Sequence, residues 1–284
     1  MATKLKAASL SISVNVGLLL SKIVAAILTR SVGLFAESAH SLFDLFSSLL
    51  AYFGIRMAEK PSDDTHLYGH DKYESLSSLL QALFIILTAL FIIYEATEKL
   101  LHPVIVKNSE IGIALMILTI PITLFTSKYL AKIAAQEGGS HALEADSAHF
   151  TTDVLGSIAV LIGLFLAWLG WPLGDVLAAY AVAAIMIYIS VHLMKEAFYV
   201  FMDYTPTNTA MEEMRAILKT YRGITYHKLK ARRAGNKIFA EVHIQVNSRY
   251  SIKKAHALSM DVKRKIMAAN RNVKDITIHV EPKS

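Results

Sequence analysis

The sequence contains no cysteine. Disulfide staples and thiolate metal sites are therefore excluded, and any soft-metal chemistry must use histidine, methionine or carboxylate. Charge is scarce as well. Asp, Glu, Lys and Arg make up only 18% of the 284 residues, where an ordinary soluble domain carries about a quarter. Internal repeats and low-complexity segments are missing too. No cleavable signal sequence is expected, because the first apolar stretch is long and is not followed by a small-residue cleavage site. What fills the chain instead is apolar sequence: 54% of residues are hydrophobic and mean hydropathy is +0.42.

The charge that is present is unevenly placed. Residues 1–204 hold 12 Lys/Arg and 17 Asp/Glu, a net −5, whereas residues 205–284 hold 17 and 6, a net +11. The break falls beside Pro206 and divides the chain into a membrane domain, 1–204, and a polar tail domain, 205–284. A hydrocarbon core about 30 Å thick needs about 20 mostly apolar helical residues to cross it. Six stretches reach that length: 5–28, 32–57, 76–101, 110–131, 142–169 and 173–201. With the N-terminus inside, Lys4, Lys6, Arg56, Lys60, Lys72, Lys128, Lys132 and Lys195 flank the cytoplasmic ends, against Arg30, Lys99 and Lys107 outside. The positive-inside rule then puts both termini in the cytoplasm. A tight turn at Gly170-Trp171-Pro172 suits an outer loop, and Pro121 should kink the fourth span.

The tail reads as α-β-β-α-β. Thr209-Ala210-Met211-Glu212 has the form of a capping box opening a helix. Ile238, Ala240, Val242, Ile244 and Val246 alternate with polar or aromatic neighbours, the period of a strand, and Gly235-Asn236 supplies a hairpin turn before them. Residues 252–270 read as helix and 273–281 as strand. The expected fold is a six-helix transmembrane bundle followed by a small α+β, ferredoxin-like domain.

Two spans carry the same polar motif. His40-Ser-Leu-Phe-Asp44 lies in the second and His149-Phe-Thr-Thr-Asp153 in the fifth. Residues four apart on a helix differ by about 40° in rotation and about 6 Å along the axis, so each motif presents an imidazole and a carboxylate in one direction. If the two spans pack antiparallel, His40 comes level with Asp153 and Asp44 with His149. Two nitrogens and two carboxylate oxygens make a four-coordinate set that suits Zn²⁺. An aspartate at the bilayer centre costs roughly 2.5–3.5 kcal/mol, so such residues persist where they meet a cavity, a partner or an ion. Asn15, Gln81 and Glu37 are candidate supporting groups or interhelical glue, and Lys22 is placed to snorkel outward.

With these motifs the sequence resembles the cation diffusion facilitator family, and the likeness extends over essentially the whole chain. In the loop after the second span, Asp63, His66 and His70 match an Asp-x-x-His-x-x-x-His pattern that the resemblance identifies as a second zinc site. In the tail, His227, His243, His256, His279 and Glu281 match positions of a binuclear zinc site, with Glu281 standing where an aspartate is usual. His243, His279 and Glu281 fall on polar strand faces, whereas His227 is in register with Leu229 and its direction is open. The resemblance implies a homodimer that exports a divalent metal in exchange for protons, and the size and simplicity of the chain suggest a bacterial inner membrane rather than an organelle. Imidazole in the central set favours Zn²⁺ over harder cations, while Cd²⁺, Co²⁺, Fe²⁺ and Ni²⁺ also accept it.

Three other readings compete. A metal-gated channel or sensor differs from a coupled exporter in being unable to move metal uphill. An intramembrane metalloenzyme needs an open coordination position, which four protein ligands would close. Nucleic-acid binding by the basic tail finds no aromatic stacking run or recognised motif, and anionic lipid headgroups account for the charge equally well.

Overall fold

The computed structural model describes residues 2–29, 32–102, 110–168, 173–206 and 208–283. The chain divides into two compact units, Met1–Ala197 and Phe198–Ser284.

The first unit is built from α1 (Ala2–Thr29), α2 (Val32–Ala58), α3 (Lys72–Leu101), α4 (Glu110–Gln136), α5 (His141–Trp168) and all but the last turn of α6 (Leu173–Phe201). Each has 27 to 30 residues. At about 1.5 Å per residue that is about 40–45 Å, the thickness of a bilayer with its headgroups. Among the described residues, Thr3–Ile27, Lys72–Leu101, Ile117–Gln136 and Val176–Phe201 are long and apolar enough to cross a membrane by length and composition. The Gly170-Trp171-Pro172 turn lies outside the described residues. Helix α4 runs on through Pro121. Two residues later the Thr123 hydroxyl donates to the carbonyls of Thr119 and Ile120, 3.0 Å from each.

Side-chain placement in this unit is inverted relative to a soluble protein. Phe43, Phe53, Phe91, Phe125, Tyr188 and Val191 face outward. The interior is rich in small and hydroxyl residues, among them Ala7, Ala8, Ser11, Ser48, Ala51, Ser78, Ala82 and Ala145, packed around larger side chains such as Ile55, Ile85, Leu130 and Phe150. Helices in lipid gain no hydrophobic advantage from associating, so they associate where small residues let backbones approach and hydroxyls pair. Gly54 shows how close α2 and α3 come, since a Cβ there would collide with the Ser77 side chain. At the N-terminal ends of α1, α3 and α5, Lys4 Nζ lies 2.6 Å from Glu74 Oε1. Ser140 donates to Glu74 Oε2, also at 2.6 Å.

The second unit holds α7 (Asn208–Lys219), β1 (Thr225–Ala234), β2 (Lys237–Val246), α8 (Ile252–Ala269) and β3 (Val273–Pro282). The sheet order is β1-β2-β3, with β1–β2 antiparallel and β2–β3 parallel. The parallel pair requires a crossover, which α8 supplies. Gly235, at φ 59°, turns the hairpin between β1 and β2. Ile238, Ala240, Val242, Ile244 and Val246 form the core with Met214 and Leu218 of α7 and Val262 and Ile266 of α8. Both helices therefore cover one face of the sheet, and the alternating residues point to the other. Helix α7 starts at Asn208, so Thr209 lies inside it and is not the cap; the preceding Thr207 lies outside the described residues. Ser251 caps α8, accepting from the Lys254 amide at 3.3 Å.

Candidate metal centres

Three groups of histidine and carboxylate side chains are drawn together. In the helical unit, α2 and α5 run antiparallel: Asp44 meets His149, and one turn along, Ser48 meets Asp146. His149 Nε2 lies 3.1 Å from Asp44 Oδ1 and 4.0 Å from Asp153 Oδ2, and His40 Nε2 lies 3.7 Å from Asp44 Oδ1. Ligand atoms of His40, Asp44 and Asp153 all fall within 4.8 Å of one another. Asp44 and His149 are buried, while His40 and Asp153 keep part of their side chains accessible. Four donors thus converge between two helices, with Asp44 at the middle.

Of the two roles open to Asn15 and Gln81, interhelical bonding is the one their hydrogen bonds show. Asn15 donates to the main-chain carbonyl of Asp44 at 3.2 Å and to Ser48 Oγ at 2.8 Å, rather than to a carboxylate of the set. Gln81 donates to Ser77 Oγ and to the Ala142 carbonyl, tying α3 to α5 as glue. Lys22 does not snorkel away from the bundle: its ammonium reaches Ser41 Oγ on α2 at 2.7 Å. The Glu37 side chain lies outside the described residues. Sequence reasoning missed Asp146, which is fully buried three residues before His149. The insertion cost that drew attention to Asp153 applies equally to it.

The loop between α2 and α3 holds the second group. His66 Nδ1 and His70 Nε2 each lie 3.4 Å from an Asp63 oxygen, and the two rings are 4.4 Å apart. Asp63 Oδ1 also accepts from the Thr65 hydroxyl and from the amides of Thr65 and His66. These bonds, led by that from the Thr65 hydroxyl, hold its carboxyl well below the ordinary carboxylate range. His70 is buried, and its Nδ1 donates to the Pro61 carbonyl at 3.1 Å. That bond leaves Nε2 as the nitrogen facing Asp63, and a ring N–H held by a backbone carbonyl is typical of metal-ligating histidines.

The third group lies on the open face of the tail sheet. His227, His243 and His279 stand side by side on β1, β2 and β3. Glu281 Oε1 is 2.7 Å from His243 Nδ1 and its Oε2 is 2.9 Å from His227 Nε2, while His279 Nε2 lies 3.7 Å from Oε1. The hydrogen bonds from His243 and then His227 lower the Glu281 carboxyl to about 2. The direction of His227, open from sequence, is decided by a bulge. Lys228 takes φ 52° and the register shifts between His227 and Lys230, which turns the imidazole onto the face of His243. His256 stands apart: it is exposed on α8, the helix that packs on the opposite face of the sheet. Within one chain, the core between α8 and β2 separates it from the other four residues.

Four long apolar helices among the described residues, packed with a His/Asp cluster on α2 and α5 and followed by an αββαβ domain with its own His/Glu cluster, point to a membrane protein with sites for metal cations. Residues 8–202 match the cation efflux transmembrane domain and residues 206–283 the cytoplasmic domain of cation efflux proteins. The chain belongs to the cation diffusion facilitator family of cation efflux transporters. It is 29% identical to the cation-efflux pump FieF of Salmonella arizonae over 98% of this chain and 92% of that one. It is also 29% identical to FieF of Salmonella schwarzengrund over 93% and 88%. The metal-bound C-terminal domain of the CzcD transporter from Thermotoga maritima aligns at 30% identity, covering 27% of this chain and 94% of that one with a TM-score of 0.26.

Proposed function

We propose that this protein exports Zn²⁺ from the cytoplasm in exchange for protons, using His40, Asp44, His149 and Asp153 as the transport site. The observation that carries the reading is the grouping of His40, Asp44 and Asp153 ligand atoms within 4.8 Å of one another, with His149 Nε2 of antiparallel α5 3.1 Å from Asp44. Two nitrogens and two oxygens fit the tetrahedral preference of Zn²⁺. Metal binding needs neutral imidazole and ionised carboxylate, so metal and protons compete for the same atoms, and that competition couples them. Metal bound from the cytoplasm displaces protons; after the bundle opens to the other side, protons displace the metal.

Asp63, His66 and His70 act as a second metal site, and His227, His243, His279 and Glu281 as a regulatory one. The protein works as a homodimer in a bacterial inner membrane, with both termini cytoplasmic and the tail's +11 charge drawn to anionic headgroups. The decisive measurement is Zn²⁺ flux into proteoliposomes under an imposed pH gradient. Wild type is expected to move Zn²⁺ uphill and Asp153→Ala is not. Equal flux by both proteins would make the carboxylate structural. Undiminished flux after the pH gradient and membrane potential are collapsed would refute proton exchange.

A further inference from the structure

Asp146 is the most anomalous residue in the helical unit. Its carboxylate is fully buried, which is costly among membrane helices unless it serves a partner. One oxygen is well provided for. Ser48 Oγ donates to Asp146 Oδ1 at 2.9 Å and itself receives Asn15 Nδ2 at 2.8 Å and the Ser11 hydroxyl at 2.5 Å. Every donor in this chain of bonds points toward Asp146, whose carboxyl is the end-acceptor. The other oxygen, Oδ2, has no hydrogen-bond partner among the described residues.

A second buried atom nearby is in the same condition. His149 directs Nε2 at Asp44, and its Nδ1 has no hydrogen-bond partner among the described residues. Asp146 and His149 are three residues apart on α5, about 4.5 Å along the axis and about 60° around it. Side chains on a helix lean toward its N-terminus, so the His149 ring extends over the turn that contains Asp146. An unpartnered imidazole nitrogen and an unpartnered carboxylate oxygen therefore belong to residues on neighbouring turns of one helical surface.

We propose that Asp146 is the positioning carboxylate of His149. When a metal cation engages Nε2, Nδ1–H donates to Asp146 Oδ2, which selects the metal-binding tautomer and raises the basicity of the ring. The proposal rests on the reading of the central quartet as the transport site. It adds an outer carboxylate to that quartet, the partner that metal-ligating histidines generally require. It also explains the bonds behind Asp146. Ser11, Asn15 and Ser48 hold the carboxylate in place from α1 and α2, and the same Asn15 amide grips the Asp44 backbone. One small network from two helices thus supports the ligands on both α2 and α5.

The test uses the full chain in detergent with the other two clusters disabled by Asp63→Ala and Glu281→Ala, and Co²⁺ as an absorbing probe. Asp146→Asn keeps the acceptor for Ser48 but points an amide toward the imidazole. It is expected to weaken Co²⁺ binding about 10- to 100-fold and to shift the visible d–d band, with Asp146→Glu restoring both in part. A residue that only filled space would leave the band where it was. Unchanged affinity and spectrum in Asp146→Asn would overturn the proposal. If that variant does not fold, Ser48→Ala decides: several-fold weaker binding supports the proposal, and parental binding overturns it. Asp153→Ala in the same background tests the quartet itself. If it binds Co²⁺ as the parent does, the transport-site reading fails. If it weakens binding while Asp146→Asn does not, only the role of Asp146 is lost.

Discussion

Removing the Lys4 ammonium should destabilise the helical unit far more than removing both members of its ion pair. Lys4 Nζ and Glu74 Oε1 are 2.6 Å apart with side-chain exposures of 11% and 5%, so water does little to screen them. Glu74 also accepts from Ser140, which places its carboxylate at the meeting point of α1, α3 and the start of α5. In Lys4→Met the carboxylate keeps, among the described residues, only the Ser140 hydroxyl. Breaking a buried pair by removing one partner costs about 3–5 kcal/mol, because an uncompensated charge is left behind. In Lys4→Met/Glu74→Gln no charge remains, and an amide oxygen can still accept from Ser140. Replacing both members of a buried pair is often neutral, so the double variant should recover most of the loss. Thermal unfolding of the detergent-solubilised protein, arranged as a double-mutant cycle, measures the coupling. A single variant that loses less than about 1 kcal/mol behaves like an exposed ion pair and would refute the reasoning. So would a double variant as unstable as the single one.

Two further outcomes are expected. The Glu281 carboxyl is lowered to about 2 by His243 and His227, below the ordinary glutamate value of about 4.3. Its contribution to stability is therefore fully present above that ordinary value and is lost as pH falls through about 2. Denaturant unfolding of the full chain should show wild type more stable than Glu281→Gln at neutral pH, with the gap closing in strong acid. A gap that persists below pH 2 would mean that the carboxylate charge is not its source. Gly54→Val should destabilise by about 1–3 kcal/mol, because the new side chain strikes Ser77 across the α2–α3 contact. Unchanged thermal stability would show that the two helices can separate at little cost.

Much of the helical unit was legible because its constraint is one-dimensional. Bilayer thickness sets helix length, so the expected 32–57 and 173–201 differ from α2 and α6 by one residue or none. Helix α3 begins at Lys72, four residues before the expected 76, because polar Tyr73-Glu74-Ser75 continues the helix beyond the apolar run. The His-x-x-x-Asp spacing was informative for a similar reason: a period of 3.6 fixes which side chains share a face. Asp146 was overlooked because a lone acid three residues from a motif has no pattern of its own. Its burial and its bond to Ser48 exist only once α1, α2 and α5 are packed.

The tail shows the same division. Strand alternation in 238–246 determined which side of β2 enters the core, and with it the outward face of His243. The aim of His227 was decided by a bulge at Lys228 that breaks period two, and the separation of His256 by the face on which α8 docks. By itself, then, the sequence determined everything set by local periodicity and by the solvent that each segment meets: six bilayer-length helices, an αββαβ tail and the residue types able to bind metal. The tertiary structure decided which of those residues touch. Distances between side chains far apart in sequence depend on helix rotation, register and bulges, and packing alone selects those.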